Sequence, residues 1–259
     1  MFRGILAAVL AFGLSVLPAA GQRRDSVYTA SEQFRWQKLI APVSLMGVGA
    51  VCAFTPAIHT GMDMGVKEWA LANNGGVYNL PIMDCPETYL QYVPSAAYGI
   101  AALCGAGKHS LPEQFVAGVT AFGLMLASSQ AIKFAANVTR PNDNPRSFPS
   151  GHTATAFMGA ELVRLEYGIW WGLAAYSVAG ATAFLRVWNN WHWTSDVIAG
   201  AGIGILSANA AYWLLPLERK LFRMDSKLSG ASHYSWQASP YVASTPAGAC
   251  YGLTMSIQW

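Results

Sequence analysis

Six times between residues 39 and 217 the chain returns to an apolar run of helical length, at roughly 39–58, 89–107, 115–136, 153–163, 169–187 and 197–217. Half-buried strands alternate apolar with polar residues, and fully buried ones stop within about eight residues. The runs therefore predict an all-α fold, a bundle of about six mostly membrane-embedded helices. Gly, Ala and Ser recur within them, and small residues let helices approach closely in lipid. Charged residues make up 11% of the chain, against about a quarter of an ordinary soluble domain, which argues against a disordered chain, a coiled coil or a nucleic-acid binder. The net charge of +3 implies no polyanion partner. Ten Trp, eleven Tyr and eleven Phe fit a chain that meets lipid.

Residues 1–21 combine Arg3, an apolar stretch from residue 4 to 17, Pro18, and the small Ala19 and Gly21. This reads as a secretory signal peptide cleaved near Gly21, with an uncleaved membrane helix as the alternative. A polar, basic segment follows at 22–38, then the helical domain at 39–227. Residues 59–87 form a polar, turn-rich loop with room for a short amphipathic helix. In the tail, 228–259, Tyr251, Leu253, Met255, Ile257 and Trp259 alternate with smaller or polar residues, a period of two that predicts a short C-terminal β-hairpin. Cys52, Cys85, Cys104 and Cys250 show no metal-ligand spacing with the histidines. Cys52 and Cys104 lie in apolar runs and read as core residues. A Cys85–Cys250 disulfide would require an oxidising compartment.

Three clusters of anion-handling and proton-handling residues fall at the ends of the expected helices. Lys133 and Arg140-Pro141 mark the end of the third, Pro149-Ser150-Gly151-His152 the start of the fourth, and Arg186, His192 and Asp196 the passage from the fifth to the sixth. A charge at the bilayer centre costs roughly 2.5–3.5 kcal/mol on insertion scales, so these cations belong near the interface or along a wet cavity, where they attract an anion. Ser150 is a natural N-cap, and the free amides behind it suit a phosphate. His192 and Asp196, four apart, share one helix face, so the carboxylate can hold one imidazole nitrogen and leave the other as nucleophile or base. Trp188, Trp191 and Trp193 read as an interfacial aromatic belt.

The three clusters, read as Lys133-x6-Arg140-Pro141, Pro149-Ser150-Gly151-His152 and Arg186-x5-His192-x3-Asp196, resemble the motifs of the type 2 phosphatidic acid phosphatase and vanadium-haloperoxidase superfamily. All three spacings are met. Leu185 departs from the Ser usual before the third-motif Arg. The resemblance implies a phosphatase without metal or other cofactor. His192 would be the nucleophile, Asp196 its orienting partner and His152 the acid and then base, while Lys133, Arg140, Ser150, Gly151 and Arg186 would bind the substrate phosphate. It implies a lipid phosphate substrate such as phosphatidic acid, phosphatidylglycerol phosphate, polyprenyl diphosphate or lipid A, a membrane setting in the bacterial envelope, and no nucleic acid. The alternatives are a secreted nonspecific acid phosphatase of the same superfamily, a haloperoxidase, and a non-catalytic membrane protein that binds phospholipid headgroups.

Sidedness is in conflict. With six spans, Arg23, Arg24, Arg35, Lys38, Lys108, Arg164, Arg219, Lys220, Arg223 and Lys227 share the face opposite the motif loops. The positive-inside rule then puts the motifs outside, whereas a signal peptide puts residue 22 outside and the motifs inside. The expectation is a periplasmic site, reached if one of the first three helices does not cross.

Overall fold

The computed structural model describes residues 31–74 and 86–224, and the backbone of residues 235–245 and 248–258, where the expected C-terminal hairpin is formed by antiparallel strands β1 (Ser235–Thr245) and β2 (Gly248–Gln258); the expected signal peptide and Cys85 lie outside the described residues. Seven helices carry the fold: α1 (Gln37–Phe54), α2 (Gly65–Asn73), α3 (Val93–Leu103), α4 (Leu111–Ala136), α5 (Gly151–Tyr167), α6 (Ile169–Trp188) and α7 (Thr194–Leu221). Six of these correspond to the six apolar runs, and α2 lies in the polar loop between the first and second.

The boundaries follow local chemistry. Thr55-Pro56 ends α1, because the residue before a proline avoids the helical region. Pro94 confines α3 to a start at Val93, since proline is tolerated only in a first turn, and the positive φ of Gly105 and Gly107 ends the run. The second expected helix, 89–107, is therefore cut to 11 residues. Helix α4 opens on a reciprocal cap between Ser110 and Glu113. The fourth run is longer than its apolar stretch suggests, 17 residues from Gly151, because Glu161, Arg164 and Glu166 stay helical by finding partners inside the bundle.

Helix α5 is the axis, buried almost continuously from Thr153 to Tyr167 and flanked by α3, α4, α6 and α7. Small residues allow this. A Cβ on Gly200 would stand 2.5 Å from the Ser150 carbonyl oxygen, and Gly204, one turn on, meets α5 in the same way. Helices α1, α4 and α7 are long and apolar enough to cross a membrane. Eighteen residues of α1 span about 27 Å and 11 residues of α3 about 16 Å, against a hydrocarbon core of about 30 Å.

Successive bundle helices run in opposite directions, so the end of α4, the start of α5, the end of α6 and the start of α7 meet at one end. At the other end, residues 31–36, the turn before α4, and the ends of α5 and α7 meet, tied by hydrogen bonds among Glu32, His109, Glu166 and Arg219. All three motifs therefore share one end, and the polar segment before α1 reaches the opposite one.

Candidate active site

Lys133 lies in the last turn of α4, after which Asn137 takes a left-handed conformation (φ 45°) that turns the chain back across the helix ends. The returning loop is fixed from within: the Arg140 amide donates to the Asn144 carbonyl at 2.8 Å and the Ser147 amide to that of Val138 at 2.6 Å. The Lys133 ammonium donates to the carbonyls of Arg146 and Ser147, each at 3.1 Å, and of Pro149 at 2.6 Å. An ammonium has three donors, so Lys133 holds the loop and lends its charge to the space beyond.

The loop delivers Ser150 as the N-cap of α5, its hydroxyl accepting from the Thr153 amide. The Ser150 amide donates to the Asp196 carbonyl at 3.0 Å, which brings the start of α5 against the start of α7. Gly151 and His152 occupy the first helical turn, where backbone amides lack intrahelical acceptors and the helix dipole is positive.

Arg186 ends α6, and the amides of Trp191 and His192 donate to its carbonyl at 3.0 and 3.2 Å, curling the turn back over the helix end. Asn190 supplies the left-handed residue (φ 55°) that this turn needs. His192 thereby comes over the first turn of α7, where its Nδ1 donates to Asp196 Oδ2 at 3.1 Å, leaving Nε2 free. The same carboxylate oxygen accepts the Trp193 amide at 2.9 Å and the Ser147 hydroxyl. His192 is 2% exposed. Burial, then the charges of Arg186, Lys133, Arg140 and His152, hold its imidazole well below the ordinary pKa, so it is neutral at pH 7.

All eight residues singled out from the sequence thus gather at one end of the bundle. Lys133 and Arg140 form no ion pair among the described residues. His152, Gly151, Lys133 and Arg140 are partly exposed while His192, Asp196, Ser150 and Arg186 are buried, so the site opens on the His152 side.

The tryptophans do not form the expected outward belt. Trp193 is buried, its Nε1 donating to the Thr139 carbonyl at 2.7 Å. Trp191 lies beside both Arg186 and Arg140, at 5.1 and 6.0 Å from the guanidinium carbons. Trp188 packs on Trp69 of α2. Trp191 faces the site cations and Trp193 faces Lys67, since flat aromatic faces can cover cations.

Three further residues reach the site from elements that carry no motif. Ser147 is one. Asp63 is another: residues 56–73, with a π-helical turn at His59–Met64, lie over the site end as a cap. The Asp63 carboxylate accepts the amide and hydroxyl of Ser195 at 3.0 and 2.6 Å, and His59 Nδ1 at 2.8 Å. Lys67 of the same cap donates to the Pro141 carbonyl at 2.9 Å. The third is Glu87, fully buried, which accepts from Asn189 Nδ2 at 2.9 Å. The sequence held one signal for Asp63: the His-x-x-x-Asp spacing occurs twice, at His59–Asp63 and His192–Asp196, and the fold sets the two pairs side by side, with His59 edge-on to Trp193.

A helical bundle with a helix start, three cations and an Asp-held imidazole at one end has the chemistry that suits an oxyanion. Residues 115–220, which contain all three motifs, match the model of the PAP2 superfamily. The chain is similar to the lipid A 1-phosphatase of Porphyromonas gingivalis, 41% identical over 109 residues, or 40% of this chain and 24% of the relative. It is also similar to the bacitracin transport permease protein BcrC of Bacillus licheniformis, 37% identical over 73 residues, 27% of this chain and 34% of that one. The chain thus spans about a quarter to a third of the curated relatives it matches. Among solved structures it resembles Aquifex aeolicus LpxE (TM-score 0.44, 19% identity, 57% of this chain and 93% of that one). A second is the first transmembrane PAP2-type phosphatidylglycerolphosphate phosphatase from Bacillus subtilis (TM-score 0.47, 18% identity, 70% and 96%).

Proposed function

We propose that this protein is a membrane phosphatase that hydrolyses a lipid phosphomonoester or diphosphate through a phosphohistidine. The carrying observation is His192, a buried neutral imidazole with Nδ1 held by Asp196 and Nε2 free beside Arg186, Arg140 and the start of α5. In the first step Nε2 attacks phosphorus in line: the N–P bond forms as the ester P–O bond breaks, and His152 gives its proton to the departing oxygen. Burial, then the charges of Arg186, Arg140 and Lys133, lower the His152 pKa in the empty site; a bound phosphate dianion offsets those charges and favours the protonated imidazole, so His152 takes up its proton with the substrate. In the second step His152 takes a proton from water, which attacks phosphorus from the vacated side and breaks the N–P bond. Arg140, Arg186 and the Gly151 amide hold the equatorial oxygens, Ser150 fixes the helix start, and Lys133 adds charge, so catalysis is positioning plus electrostatics. These groups supply the positive charge that a metal would otherwise bring, so EDTA should leave hydrolysis unchanged.

Three helices fit to cross a membrane favour a lipid substrate over the secreted acid phosphatase reading; recovery of the protein only with detergent is the corresponding expectation. The end opposite the site carries Arg35, Lys38, Lys108, Arg164, Arg219, Lys220 and Arg223. By the positive-inside rule that end is cytoplasmic and the site extracytoplasmic. Residues 31–38, at that end, are then on the cytoplasmic side. Reporter fusions after Met224 and within 142–148 test this; a periplasmic signal from the first would reverse it.

Phosphate release from purified protein against phosphatidic acid, phosphatidylglycerol phosphate, a polyprenyl diphosphate and lipid A, with His192→Ala as control, tests the activity and sorts the substrates. Equal release by parent and control would leave the non-catalytic headgroup-binding reading standing.

A further inference from the structure

Glu87 belongs to no motif, yet it is among the most deeply buried charged residues, with no exposure at all. It sits in a single helical turn, Glu87–Leu90, that packs against α6. Its Oε1 accepts from Asn189 Nδ2 at 2.9 Å and lies 3.7 Å from Nη1 of Arg186, itself 1% exposed. Its Oε2 has no hydrogen-bond partner among the described residues. A carboxylate buried with an unmet oxygen is expensive, and 3.7 Å is longer than the roughly 2.7–2.9 Å of a closed charge-assisted hydrogen bond. The contact is near but long, as polar contacts at unliganded sites often are before they tighten around substrate.

We propose that Glu87 is a positioning residue for the phosphoryl-transfer reaction, a buried carboxylate that steers the Arg186 guanidinium onto the equatorial oxygens as charge shifts in the transition state. The inference rests on the functional reading above for the reaction, though not for the pairing itself. Arg186 is boxed by the face of Trp191 at 5.1 Å on the one hand and Glu87 on the other. The guanidinium plane is thus oriented by an aromatic face and a carboxylate. Through Asn189, the same carboxylate holds the turn that leads from Arg186 to His192, coupling the binding cation to the nucleophile. Because the geometry matters most when charge redistributes, Glu87 should act on the transition state more than on ground-state binding.

The test uses full-chain protein in detergent micelles, with p-nitrophenyl phosphate and phosphatidic acid as substrates. Glu87→Gln keeps the acceptor for Asn189 and removes the charge; we expect kcat to fall about tenfold with KM changed less than about threefold. In an Arg186→Lys background the same change should cost less than about twofold, because a residue that acts through Arg186 loses its effect when the guanidinium is gone. An equal loss in both backgrounds, or none in the parent, would overturn the proposal. If Glu87→Gln does not fold, Glu87→Asp, which draws the carboxylate back from Arg186, carries the same comparison. A readout free of turnover separates this inference from the function itself. Orthovanadate, whose five-coordinate adduct imitates the transition state, and inorganic phosphate are titrated against tryptophan fluorescence, which Trp191 makes sensitive to Arg186. Vanadate affinity should fall about tenfold and phosphate affinity less than about threefold. Tighter binding of both anions would show that Glu87 only offsets charge. A protein that binds vanadate in this Glu87-dependent way yet releases no phosphate would defeat the functional reading and leave the pairing intact.

Discussion

The two ends of the bundle bury comparable sets of ionisable side chains and use them in opposite ways. At the far end His109 is held between Glu166 at 2.7 Å and Glu32 at 2.9 Å, Arg219 meets Glu32 and Glu113, Arg164 meets Glu161 at 2.6 Å, and Tyr212 donates to Glu166 at 2.7 Å. Every one of these cations faces a carboxylate. At the site end Lys133 is spent on carbonyls, Arg140 meets no carboxylate among the described residues, and Arg186 stands 3.7 Å from Glu87. A closed network gains little by admitting a ligand, whereas cations that face no closed carboxylate pair have more to gain from an anion. The contrast separates a clamp that holds residues 31–36 to the bundle from the candidate site.

Mutations can break that contrast, and the largest expected effect is at the site. His192→Ala should lower turnover by about a thousandfold or more, as loss of other nucleophiles does, with little change in the melting temperature of the micellar protein. Loss of activity only in proportion to unfolding would erase the distinction between the two ends.

Next comes Glu166→Ala at the far end, which leaves His109 with one carboxylate and Tyr212 without its acceptor. Removing one partner from a buried pair costs about 3–5 kcal/mol, so the variant should unfold at markedly lower denaturant while its folded fraction keeps the parent's specific activity.

The third expectation sharpens the comparison through pH. Burial alone would lower the His109 pKa, but the hydrogen bonds and charges of Glu166 and Glu32 outweigh it and raise it to about 9. The folded value exceeds the unfolded value of about 6.5, so this contribution is fully present below pH ~6.5 and is lost as pH rises through about 9; it is on the order of 3 kcal/mol. Melting temperature followed from pH 6 to 10 should fall across that window in the parent and much less in His109→Gln.

The smallest effect concerns Ser147, which shares Asp196 Oδ2 with His192. Losing a hydrogen bond to a charged group is worth about 1.5 kcal/mol, or roughly tenfold, so Ser147→Ala should cost about that in kcat with KM nearly unchanged. A variant with full kcat would show that His192 and the Trp193 amide suffice to hold Asp196.

Much of the site was legible because its chemistry is local. Ser150 caps the helix it begins, His192 and Asp196 are neighbours by helical spacing, and Lys133, Arg140 and Arg186 stand at helix ends because lipid keeps charges out of helix middles. Ser147 and Glu87 were not legible, and Asp63 showed only in the repeated His-x-x-x-Asp spacing. Ser147 looked like one more loop residue, Asp63 lay in a polar stretch whose cap-forming turn periodicity does not show, and Glu87 was a single carboxylate beside an apolar run. Each touches the site through a partner 49, 132 or 102 residues away. The tryptophan belt was misjudged for the same reason: composition places aromatic rings near an interface, but only their neighbours show that Trp191 and Trp193 face inward onto guanidinium and backbone.

The sequence by itself determined an all-helical bundle, the helix ends that carry charge, and the order of the three motifs. Those properties depend on hydrophobic runs, capping residues and spacings within a turn or two of chain. Only the tertiary structure decided which carboxylates face which cations, which end the segment before α1 reaches, and that one buried cluster is closed while the other is open. Pairing between distant buried charges is settled by how helices lie against one another, where a few ångströms separate a closed ion pair from an open one.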